Sequence, residues 1–121
     1  MLRLADIIKE LELTAFYFAD EMNRQIEGVY CGDLLSDVLA NAEAGYLWIT
    51  VQMHPNITGV ASVKELSGIL LSNDRKPQPE TLEKAQHEKI PLLGSRLSTY
   101  DLATRIGRSL SAEKGHAAAN S

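Results

Sequence analysis

One cysteine, Cys31, is present in 121 residues. A lone thiol closes no internal disulfide, which fits a reducing, cytoplasmic setting. Basic charge is also scarce. Twelve Lys and Arg stand against 16 Asp and Glu, giving a net charge of −4 and a pI near 5.3. A nonspecific nucleic-acid binder needs a basic footprint, so that class is not expected. No apolar run reaches the roughly 18 residues of a membrane span. The stretch Met1 to Asp6 carries an acid and no long apolar core, so it does not read as a signal peptide. The familiar chemical signatures are missing too: no G-x-x-x-x-G-K-[ST] phosphate loop, no G-x-G-x-x-G, no G-x-S-x-G elbow and no C-x-x-C. His54, His87 and His116 have no metal-ligand spacing. No catalytic residue, metal or cofactor is therefore assigned.

What is present is the composition of one folded domain. Hydrophobic residues make up 45% and charged residues 23%, enough apolar material for a core and too little charge for disorder. The organising stretch is Gly28 to Asn56. Val29-Tyr30-Cys31 reads as a strand, and Asp33 as the cap of a helix carrying Leu34, Leu35, Val38, Leu39 and Ala42 at helical spacing. Gly45 falls where a left-handed helix end is expected. Leu47 to Val51 has the β-branched and aromatic content of a buried strand. Met53-His54-Pro55-Asn56 ends it, with Asn56 placed to cap the next helix.

Elsewhere, Met1 to Arg3 reads as a short strand, Leu4 to Leu11 as an amphipathic helix, and Thr14 to Ala19 as a strand or extended cover. Asp20 to Asn23 reads as a polar turn. A helix follows from Ile57 to Leu66, weakened by roughly 1 kcal/mol at Gly59. Gly68 to Leu71 and Pro91 to Gly94 are apolar strands, and Pro79 sits at the start of the helix to Lys89. Ser98 and Asp101 form a capping-box pattern before the stripe Leu102, Ile106, Leu110. Four successive strand–helix units predict an α/β domain with a mainly parallel sheet over residues 1–111, followed by a frayed tail over 112–121.

Open parallel sheets bind ligands beyond the carboxyl ends of their strands. The loops there are Cys31-Gly32-Asp33, Gln52 to Asn56, Ser72 to Lys76, and Gly94-Ser95-Arg96. Arg75 and Arg96, with backbone amides, would suit a phosphate, and Asp33 and Asp37 would push it toward the later loops. Bland readings stand beside these. Asp33 serves as a cap, His54 as a polar loop residue, Arg75 and Lys76 as a solvated loop, Cys31 as a small hydrophobe, and Trp48 as core or interface. Asp33 and His54 are the one acid–base pair an enzyme could use.

Four segments then resemble the DRTGG-domain family: GVYCGDLLSDVLANA, LWITVQMHPNI, ILLSNDRKPQPETLEKA and IPLLGSRLSTYDLA. The likeness runs from about Leu4 to Leu110 and is similar to the N-terminal domain of HPr kinase/phosphorylase. The family also occurs beside nucleotide-binding CBS modules in some inorganic pyrophosphatases, and attached to phosphate acetyltransferases. The resemblance implies a non-catalytic regulatory or interaction domain that forms a homodimer and meets a partner protein. The alternative is a sensor of an adenine nucleotide or other phosphorylated metabolite. It favours Gly32, Asp33, Thr50, His54 and Asn56 as site residues, and the strand-end loops add Asn73, Asp74, Arg75 and Arg96. Where relatives carry a Gly-Gly turn, this chain has Asn73-Asp74, two residues that tolerate left-handed backbone angles.

Overall fold

The computed structural model describes residues 1–119. Helix α1 (Leu4–Glu10) precedes strand β1 (Thr14–Tyr17), and a short 3-10 turn covers Asp20–Met22. Then come β2 (Gly28–Cys31), α2 (Leu35–Asn41), β3 (Tyr46–Thr50), α3 (Asn56–Val63), β4 (Gly68–Leu71), α4 (Pro79–Glu88), β5 (Leu92–Gly94) and α5 (Thr99–Ala119). The sheet order is β1-β5-β4-β3-β2, with β2 to β5 parallel and β1 antiparallel to β5. This is the expected α/β domain with its four strand–helix units. No described helix is long and apolar enough to cross a membrane.

Side-chain alternation along the strands divides the core in two. Leu47, Ile49, Leu70 and Leu93 point to one face and meet Leu4 and Ile7 of α1 and Leu102, Ile106 and Leu110 of α5. Trp48, Ile69, Leu71 and Leu92 point to the other and meet Val38 of α2, Ile57, Val60 and Ala61 of α3, and Ala85 of α4. The connections from β2 to β5 all step the same way across the sheet, and their three helices share one face. No reversal of strand order therefore opens a crevice among the parallel strands, the usual place for a ligand.

Several local expectations are corrected. Met1 to Arg3 makes only an isolated bridge from Arg3 to Gln25, because Leu4 already starts a helix with its N–H on the Arg24 carbonyl at 3.0 Å. Asp33 does not cap α2. Leu34 holds that position with no side-chain bond. Gly45 has φ +82° but lies in the turn before β3, three residues beyond the helix end at Ala42. Asn56 is the first residue of α3 and not its cap: Pro55 precedes it, and His54 Nδ1 accepts the Asn56 N–H at 3.1 Å. The imidazole reaches back where proline offers only a carbonyl. Ser98 does cap α5, accepting the Asp101 N–H at 3.1 Å. That helix runs on through Ala119, and the last two residues of the expected frayed tail, 120 and 121, lie outside the described residues.

Candidate ligand-binding site

The carboxyl ends of the parallel strands form one edge of the molecule, and the predicted residues divide there into three groups. In the first, Asp33 leans across to the end of β3. Its Oδ1 accepts from the Thr50 hydroxyl at 2.8 Å and from the Val51 N–H at 2.9 Å. Thr50 is fully buried, so its hydroxyl needs a protein acceptor, and the Val51 N–H just past the strand shares the same oxygen. That demand outweighs the exposed end of a seven-residue helix. The Gln52 side chain completes the knot: its Nε2 donates to the Asp33 carbonyl at 2.9 Å, while Trp48 Nε1 donates to the Gly32 carbonyl at 2.8 Å.

Cys31 adjoins this knot on the edge strand and is exposed. Neighbouring atoms still crowd its thiol, and this desolvation raises its pKa, with the Asp33 carboxylate adding to the rise. The thiol is accordingly held protonated near neutral pH. Alkylation by iodoacetamide at pH 8 should be slower than for a free cysteine, with its pH midpoint displaced upward. A rate equal to the free thiol's would contradict that.

His54 and Asn56 form the second group. Both are exposed and they bond to each other. Asp33 and His54 share no hydrogen bond: Asp33 accepts from Thr50 and Val51 at the end of β3, and His54 accepts from Asn56 in its own loop.

The third group converges on a cleft of about 560 Å³. After β4, Asn73 and Asp74 both take φ +58°, and the Arg75 N–H donates to the Ser72 carbonyl at 3.1 Å. Two successive positive φ angles closed by that bond mark a type I′ turn. Asn73-Asp74 thus does the work expected of a Gly-Gly pair. The turn is pinned to the next loop, with Asn73 N–H on the Leu97 carbonyl at 2.9 Å and Asp74 N–H on the Ser95 carbonyl at 2.8 Å. Arg75, Lys76 and Arg96 therefore face one cleft, joined by Arg105 from α5 and bordered by Glu12 and Asp74.

Lys76 lies 3.4 Å from Asp74, but the three guanidinium groups make no hydrogen bond or ion pair to the described side chains or backbone. In an acidic chain, this cleft carries a local excess of cations. The amides of Asn73, Asp74, Arg75 and Leu97 are already donated, so an anion here would rest on side chains. Arg105 went unread in the sequence because it sits on the margin of the Leu102–Ile106 stripe. Only the way α5 crosses the sheet turns it to the cleft. Among the described residues no cluster of three or more His, Cys, Asp or Glu is placed to hold a metal.

No family model matches the sequence, and no curated protein matches it. The fold is similar to the crystal structure of the CBS and DRTGG domains of the regulatory region of Clostridium perfringens pyrophosphatase, complexed with the activator diadenosine tetraphosphate. The TM-score is 0.70 at 16% identity, over 84% of this chain and 44% of that one. The likeness is one of fold, and this chain spans less than half the length of that structure.

Proposed function

We propose that this chain is a non-catalytic regulatory domain of the DRTGG kind, working in the cytoplasm, that binds a phosphorylated metabolite in the arginine-lined cleft. The carrying observation is the convergence of Arg75, Arg96 and Arg105 from three separate segments on one cleft, with their guanidinium groups unengaged by described residues. Guanidinium forks match phosphate oxygens in pairs and stay charged at any working pH. An adenine nucleotide is the first class to try, and the nucleotide-bound state of the similar pyrophosphatase region supports that order. The Asp33–Thr50 knot and the His54–Asn56 turn then support the strand-end loops.

The test is a thermal-shift screen against nucleotides and phosphorylated metabolites. A ligand at 100 times its Kd adds about 2.7 kcal/mol, a shift of several degrees in a domain of this size. The variant Arg75→Ala/Arg96→Ala/Arg105→Ala should abolish the shift while keeping its own unfolding temperature, because all three residues are exposed. A hit that survives in the triple variant would overturn the assignment.

A homodimer belongs to the same proposal. Trp48 is fully buried and does not offer itself to a second copy. The support comes from β2, which lies at the sheet edge. A monomeric mass by light scattering at micromolar concentration would remove the dimer.

A further inference from the structure

On the face opposite α1 and α5, helices α2, α3 and α4 lie side by side, and a groove of about 770 Å³ runs over α3 between its neighbours. The inner face of α3 is spent on the core through Ile57, Val60 and Ala61. Its outer face is uncovered. Val63 is 74% exposed there, and Leu39 of α2 is 41% exposed beside it. Gly59 lines the same groove, and an added Cβ there would meet nothing within 4 Å. Nothing in the interior therefore requires a glycine at this helix position, which is costly for helix stability. A missing side chain on the groove floor does serve a body that must come close from outside.

Charge says what kind of body. The α4 wall presents Glu80, Glu83 and Glu88. Lys84 lies 3.8 Å from Glu80 and His87 lies 3.6 Å from Glu88, and three carboxylates against one lysine and one imidazole still leave an acidic excess along the wall. An apolar floor beside an acidic wall complements an amphipathic helix with lysine or arginine at its apolar margin.

We propose that the α2–α3–α4 groove is a docking site for a basic amphipathic helix of a partner protein, with Gly59 as the point of closest approach. The partner helix sets apolar residues on Leu39 and Val63 and basic ones against α4. This surface is distinct from the arginine cleft, so one domain would carry a ligand side and a partner side.

The probe is a labelled amphipathic helix of leucine and lysine, compared by fluorescence anisotropy with a leucine–glutamate counterpart. The leucine–lysine peptide should bind, more weakly at high salt, and the leucine–glutamate peptide should bind at least about tenfold more weakly. Gly59→Trp fills the groove and should weaken the first peptide by about tenfold or more. Val63→Glu, at an exposed site, should do the same independently. Gly59→Ala adds only a methyl group at the point of closest approach, so it should raise Tm and weaken the first peptide less than Gly59→Trp does. Arg75→Ala/Arg96→Ala/Arg105→Ala should leave peptide affinity unchanged, which separates this result from the fate of the cleft. Equal binding of both peptides, or full affinity in both Gly59→Trp and Val63→Glu, would overturn the proposal. So would a wild-type dimer that Gly59→Trp converts to monomer, since the occupant would then be a second copy.

Discussion

Replacing Trp48 by alanine should cost about 3–5 kcal/mol, a large part of the stability of a domain this size. Trp48 is in β3, one strand in from the β2 edge, and is fully buried. Its ring packs with Val38, Ile57 and Ile69, so its removal leaves a void shared by α2, α3 and β4. The indole also has a second duty. Nε1 donates to the Gly32 carbonyl at 2.8 Å, which ties the β2 end loop to the sheet. Trp48→Phe separates the two duties. It keeps an aromatic ring but frees the carbonyl, and should lose less than the alanine variant. Urea denaturation followed by circular dichroism measures both, since Trp48 is the sole tryptophan and its fluorescence leaves with it. A loss below about 1 kcal/mol for Trp48→Ala would mean that the ring is not packed as described.

The parallel half of the fold was legible because each strand is apolar on both sides. Leu47-Trp48-Ile49, Ile69-Leu70-Leu71 and Leu92-Leu93 feed two cores, and only a sheet covered on both faces asks for that pattern. Pairing of β1 with β5 was less legible, because Thr14 and Gly94 meet across a long stretch of chain that no local pattern links. Cap residues misled for a related reason. Asp33 has the composition of a cap, yet the buried Thr50 hydroxyl, a neighbour only through the sheet, claims its carboxylate. The loops bearing Arg75 and Arg96 could be placed at the strand ends from sequence. Arg105 could not, since its position depends on how α5 crosses the sheet. Val63 lies at the edge of the apolar face of α3, and its outward orientation leaves it on the groove floor. Periodicity of one helix cannot say whether a marginal apolar residue meets the core or a partner.

Gly94→Ala should destabilise the domain by about 1–3 kcal/mol, a cost of overpacking more than of backbone freedom. A Cβ at this site would stand 2.5 Å from Cε2 and 3.0 Å from Cζ of Phe16, inside any normal contact. The Phe16 ring lies over Gly94 because β1 returns antiparallel beside β5, with Thr14 paired to Gly94 and Ala15 to Leu93. To admit the methyl group, the ring must swing away or β1 must shift along a ladder already irregular between Ala15 and Tyr17. Both responses reach the ligand side, because Phe16 and Gly94 line the same cleft as Arg75, Arg96 and Arg105. Any ligand found in the screen should therefore bind Gly94→Ala less tightly even where the variant is fully folded. Phe16→Leu in the same chain removes the obstructing ring edge and should recover part of the stability. The double-mutant cycle should then show a coupling above the roughly 0.5 kcal/mol expected of independent sites. Additive losses would mean that ring and glycine do not meet. The close packing of β1 on β5, on which the cleft wall depends, would then have to be redrawn.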